Sequence, residues 1–103
     1  MTQFSQQLID ILQSVPEGRV ITYGQAAGMA GNPRGARQAV RLLHSSSEKY
    51  GLPWHRVVNR EGRISLKGDS GLIQRGLLEA EGVEVAPSGR IDLEKYGLIR
   101  GPH

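Results

Sequence analysis

Thr22-Tyr23-Gly24-Gln25-Ala26-Ala27-Gly28-Met29-Ala30-Gly31-Asn32-Pro33-Arg34-Gly35-Ala36-Arg37-Gln38-Ala39-Val40-Arg41-Leu42-Leu43 is the stretch from which the fold is read. Thr22, with Gln25 three residues on, has the form of a capping box, in which a hydroxyl and an amide satisfy free N–H groups at a helix start. That spacing predicts a short helix from Tyr23 to Ala30, closed by Gly31. Asn32 is then placed to cap a further helix, with Pro33 at its first position, where the missing N–H does no harm. The periodicity predicts this second helix over residues 33–43. Ala36, Ala39, Val40 and Leu43 share one face, while Arg34, Arg37 and Arg41, with Gln38 between them, occupy the other. Two helices across a tight turn, the second carrying a basic outer face, describe a helix-turn-helix.

Outward from this stretch the pattern is that of short elements. Phe4, Leu8, Ile11, Leu12 and Val15 predict a helix over 3–15, stopped by Pro16-Glu17-Gly18. Val20-Ile21 reads as extended. Residues 44–52 read as a polar, serine-rich loop. Val57-Val58-Asn59 and Arg63-Ile64-Ser65 flank Arg60-Glu61-Gly62 as a small hairpin. Leu72, Ile73, Leu77 and Ala80 mark a last helix ended by Gly82. Val85, Ile91, Leu93 and Tyr96 lie in a tail with apolar residues to pack back. The expected fold is mainly α, a winged helix-turn-helix-like domain with a small β-hairpin, spanning residues 1–103 as one unit.

Composition narrows the function classes. With 38% hydrophobic and 22% charged residues the chain suits a folded domain rather than a disordered one. It holds no cysteine, so neither a disulfide nor a thiolate metal site is available. His44, His55 and His103 are scattered, a poor metal set, and no metal or cofactor is expected. No apolar run approaches the ~20 residues of a membrane span. The amino terminus lacks the features of a secretion signal, and an intracellular, DNA-associated (cytoplasmic or nucleoid) monomer is expected. The net charge is +3, but residues 19–67 hold nine Lys/Arg against two acids, a local +7 between mildly acidic ends. A basic middle of this kind is the footprint of a polyanion-binding face.

One further motif decides the chemistry. Pro53-Trp54-His55-Arg56-Val57-Val58, together with Thr22-Tyr23-Gly24, Gly31-Asn32-Pro33, Ala36-Arg37, Leu77-Leu78 and Glu81-Gly82, resembles the DNA-binding domain of the O6-alkylguanine-DNA alkyltransferases. The match runs over about residues 4–82, leaving a tail at 83–103. In those enzymes a cysteine precedes the histidine; here Trp54 holds the place. An indole has no nucleophilic sulfur to take an alkyl group. The resemblance is therefore to the alkyltransferase-like proteins, which bind alkylated guanine in DNA without repairing it, and it implies no catalytic residue.

The resemblance implies roles position by position. The helix bearing Arg34, Gln38 and Arg41 enters the minor groove, and small residues at Gly35, Ala36 and Ala39 permit the approach. Arg37 matches an arginine finger that holds the space of an extruded nucleotide. Tyr23 matches the tyrosine that crowds the flipped nucleotide's phosphate and reaches the base edge. The lesion pocket would comprise Tyr23, Trp54, His55, Val57 and Lys67, with Asn32, Arg56 and Glu81 as a supporting network. Without a thiol to activate, His55 and Glu81 shape the pocket rather than catalyse. Ser46 stands where transferases usually have an asparagine, and Lys67 where they have a tyrosine; a basic residue at the latter position is frequent in alkyltransferase-like relatives. The implied partners are double-stranded DNA containing O6-alkylguanine and nucleotide excision repair proteins. Alternatives are a helix-turn-helix regulator or general DNA-binding module without lesion preference, an enzyme using His55 and Glu81 as acid and base, and a degenerate transferase that retains only the fold.

Overall fold

A computed structural model describes residues 2–99 of the chain. Its elements are α1 (Gln3–Gln13), β1 (Ile21–Thr22), α2 (Tyr23–Met29), α3 (Ala36–Tyr50), a 3₁₀ turn (Trp54–Arg56), β2 (Val57–Val58), α4 (Gly68–Ala80) and α5 (Leu93–Tyr96). The domain is mainly helical, as the patterning implies. The expected capping box is present: the Thr22 hydroxyl accepts from Gln25 N at 3.0 Å and the Gln25 amide oxygen accepts from Thr22 N at 3.0 Å. Leu8, Ile9 and Leu12 of α1, Ala26 and Ala30, Ala39 and Leu43 of α3, Ile21 and Val57 form the main core beneath α2 and α3.

The helix-turn-helix stands, but α3 differs at both ends from the pattern-based range. It starts three residues later, at Ala36 rather than Pro33. Asn32 caps a turn instead of the helix: its Oδ1 accepts from Arg34 N at 3.1 Å, and its carbonyl accepts from Gly35 N at 2.9 Å. Gly35 is held where a Cβ would lie 3.0 Å from both Asn32 Nδ2 and Phe4 Cζ, so α1 packs directly on this turn. At the other end, the serines read as a loop continue the helix to Tyr50. Ser45 and Ser47 turn their hydroxyls back onto the Leu42 and Leu43 carbonyls, so neither side chain competes for the helix backbone's N–H groups. The helix ends only at Gly51, in the left-handed conformation (φ 60°) that glycine adopts without strain.

The expected hairpin is replaced by a parallel pair. Val57 and Val58 align with Ile21 and Thr22. Both valines are fully buried, and a strand covered on two faces suits parallel pairing under helices better than a half-exposed hairpin. The Asn59–Gly62 turn does form, with Asn59 Oδ1 accepting from the N–H groups of Glu61 and Arg63. Beyond it, however, Arg63 bridges Arg90, and Ile64 N donates to the Gly89 carbonyl. The tail does pack back: Ile91 and Tyr96 join Val20, Val58, Leu78 and Val83 in a second cluster. Asp92 caps the short α5, which periodicity did not foretell. The last helix is present but turned relative to expectation. Leu72, Ile73 and Leu77 are exposed, and the buried residues of α4 are Gln74 and Leu78.

Candidate nucleic-acid interface

Glu81 is the hub on which the Trp54 turn is hung. Arg56 donates to it through Nε (3.0 and 3.2 Å to its two oxygens) and through Nη2 (2.7 Å), a fork geometry that lysine cannot reproduce. His55 Nε2 lies 2.7 Å from Glu81 Oε2, and Gly18 N donates to Oε1 at 3.1 Å. The remaining arm of Arg56 reaches the Val15 carbonyl at 2.9 Å. One carboxylate therefore joins the end of α4, the 3₁₀ turn and the loop after α1. Burial alone would raise its pKa, but the hydrogen bonds from Arg56, His55 and Gly18 outweigh that and hold it at about 2. Arg56 and Glu81 are thus bonded to each other, whereas Asn32 bonds to neither and instead donates to Gln38 Oε1 at 3.1 Å in the turn before α3.

Above this hub, α2, α3, the 3₁₀ turn and the start of α4 enclose a cleft of about 210 Å³ lined by Tyr23, Val40, Leu43, His44, Trp54, Leu66 and Ser70. That is below the roughly 300–1,000 Å³ of pockets for drug-sized ligands, a scale suited to one flat heterocycle. Trp54 forms a wall and does not fill it. Its ring meets the His55 ring edge-on, with centroids 6.2 Å apart and planes at 83°. Burial pushes the Tyr23 phenol above its ordinary pKa, partly offset by a hydrogen bond with Ser65, so it is a neutral hydroxyl at physiological pH.

Of the five residues expected in the pocket, Tyr23 and Trp54 line the cleft. His55 lies beneath it, tied to Glu81. Val57 does not line it: it is fully buried in β2, among the core residues under α2 and α3. Lys67 is not among the lining residues either; it is exposed at the start of α4, next to Leu66. Sequence reasoning missed Val40, Leu43, His44, Leu66 and Ser70. The first three sit at i, i+3 and i+4 on one face of α3; the pattern places Val40 and Leu43 on the apolar face of that helix but puts His44 in the loop after it. Ser46, expected in a loop, lies within α3.

Arg37, Gln38 and Arg41 are exposed on α3, and Arg34 is exposed in the turn before it. No acidic residue occurs between Glu17 and Glu48. Among the described residues none of these arginines is in an ion pair, so their charge is available to a polyanion.

The family described as the DNA-binding domain of 6-O-methylguanine DNA methyltransferase matches this chain over residues 3–83. The chain belongs to that alkyltransferase family. Within it, the chain is 52% identical over 93 residues to a DNA base-flipping protein of Escherichia coli, covering 90% of this chain and 72% of that one. It is 38% identical over 87 residues to alkyltransferase-like protein 1 of Schizosaccharomyces pombe, covering 82% and 81%. The alkyltransferase-like fold also matches a crystal structure of S. pombe Atl1 in complex with damaged DNA containing O6-carboxymethylguanine, with a TM-score of 0.84, 32% identity, and 96% and 97% of the two chains covered. Among the described residues no helix is long and apolar enough to cross a membrane.

Proposed function

We propose that this chain binds O6-alkylguanine in double-stranded DNA as a monomer, lays α3 in the minor groove, receives the extruded nucleotide in the Trp54 cleft, transfers no alkyl group, and flags the lesion for nucleotide excision repair. The observation that carries this reading is an open, base-sized cleft walled by an indole, on a chain with no cysteine. The kinship with a base-flipping protein and with Atl1, whose structure contains damaged DNA, supports it.

The physical steps are these. Arg34 and Arg41 neutralise phosphates and give affinity without sequence choice. Arg37 enters the base stack, its planar guanidinium occupying the space left by the nucleotide and donating to the orphaned partner base. Tyr23 presents a neutral hydroxyl to the phosphate and base edge. Extrusion costs a few kcal/mol, less for a damaged pair, and O6 alkylation weakens pairing by removing the guanine N1 hydrogen. The alkyl group then gains about 0.8 kcal/mol per CH₂ buried against Trp54, Val40, Leu43 and Leu66. Together these terms favour the lesion by roughly tenfold to several hundredfold over guanine.

Trp54 is the only tryptophan, so its emission reports on the cleft. Titration with an O6-methylguanine duplex should change the spectrum and give tighter binding than the guanine duplex, with the protein mass unchanged after prolonged incubation. Equal binding to both duplexes would reject lesion recognition; a mass gain of one methyl group would reject the absence of transfer.

A further inference from the structure

Gln74 is 1% exposed in the middle of α4, where a leucine or methionine would fill the same space. Its Nε2 donates to two main-chain carbonyls, His55 O at 3.1 Å and Val57 O at 3.0 Å. These carbonyls flank Arg56 at the junction of the Trp54–Arg56 turn with β2. The amide orientation is fixed by its partners, because the reverse would set Oε1 against two carbonyl oxygens. Oε1 is buried with no hydrogen-bond partner among the described residues. A stranded buried acceptor is destabilising, so the amide is a poor choice for packing alone. Its two donors do what no apolar side chain can: they bolt α4 to the turn that carries Trp54. Ser70, one helical turn earlier on the same face of α4, lines the same cleft as that turn's tryptophan.

We propose that Gln74 is a positioning residue that sets the width of the Trp54 cleft, and through it the preference for alkylated over intact guanine. The discrimination part rests on the lesion-binding reading; the clamp itself does not. Gln74 touches no DNA in this scheme. It acts through the 55–57 backbone, fixing Trp54 relative to Leu66 and Ser70 so that the guest is held between two walls that cannot part.

The test compares wild type with Gln74→Met, which keeps length and removes both donors, and with Leu78→Ala, a core truncation on the same helix. In the free proteins, Gln74→Met should shift Trp54 emission and raise its collisional quenching by acrylamide, while Leu78→Ala should lower the melting temperature and leave both signals at their wild-type values. With methylated and unmodified duplexes, Gln74→Met should lower the affinity ratio by on the order of fivefold to tenfold, as expected for two lost hydrogen bonds, with affinity for the unmodified duplex unchanged. An unaltered Trp54 signal or an unaltered ratio in Gln74→Met would overturn the proposal. If wild type itself shows no lesion preference, the lesion-binding reading fails, and the free-protein signals still decide the clamp. Should Gln74→Met not fold, hydrogen exchange of the Gln74 side-chain amide in wild type decides it: both protons should be protected, and fast exchange would remove the clamp.

Discussion

Glu81 is one acid among ten, yet it takes hydrogen bonds from Arg56, His55 and Gly18 at once. Its folded pKa of about 2 lies below the ordinary 4.5, so as the pH falls the unfolded chain takes up this proton first. The stabilisation is therefore complete above roughly pH 5 and is lost progressively as the pH falls toward 2. Urea melts of wild type and Glu81→Gln between pH 7 and pH 2.5 should show the variant less stable at pH 7 and the two curves converging in acid. A constant gap across that range would mean the carboxylate is not held as described. Arg37 and Arg41 separate on the same scale. Both are exposed on α3, but only Arg37 is assigned to the flipped state. Arg37→Ala should then lose more affinity on lesion DNA than on the intact duplex, and Arg41→Ala should lose the same on both. Equal losses for the two variants on lesion DNA, read by anisotropy, would remove the finger role.

At the scale of elements, two of the three glycines in α4 make opposite demands. A Cβ at Gly71 would overlap the Leu66 carbonyl oxygen, a backbone atom that cannot turn aside, whereas a Cβ at Gly76 meets open space. Gly71→Ala should destabilise by roughly 1–3 kcal/mol, as overpacking does, and should weaken lesion preference, because Leu66 and Ser70 line the cleft on either side of the displaced contact. Gly76→Ala should stabilise by about 0.5–1 kcal/mol through helix propensity alone. Thermal melts of the two variants check both signs. The elements also show what patterning reveals and hides. The capping box at Thr22 and Gln25 is a local device whose partners lie within one turn, so sequence alone exposes it. The length of α3 was hidden by serines whose hydroxyls fold back onto their own helix, a choice that composition does not betray. The rotation of α4 was hidden because its best-buried polar residue, Gln74, answers to two carbonyls on another segment. Val57 and Val58 read as half of a hairpin because pairing across a crossover leaves no mark on neighbouring residues.

Over the whole molecule, charge is divided along the chain. The +7 block of residues 19–67 holds α3 and its flanking turn, while the mildly acidic remainder includes Glu81 and the tail that packs the second core cluster. That partition was legible from the sequence because charge needs no fold to be counted. Which side chains face the cleft was not, because Val40, Leu43 and His44 reach it from α3 while Leu66 and Ser70 arrive from a segment more than twenty residues downstream. Affinity and preference should consequently respond to salt in different ways. Phosphate contacts release counterions, so the logarithm of the binding constant should fall linearly with the logarithm of salt concentration for lesion and intact duplexes alike. Removing Arg41 should reduce that slope by about one for each duplex, since in the proposed complex it contributes one phosphate contact to both. In the proposed complex, discrimination arises from burial of an apolar group in the cleft and from weakened pairing, neither of which releases counterions. The ratio of the two affinities should thus stay flat between 50 and 200 mM salt, a range over which many-phosphate binders weaken by orders of magnitude. A ratio that decays with salt in step with the affinities would place recognition on the arginine face and not in the Trp54 cleft.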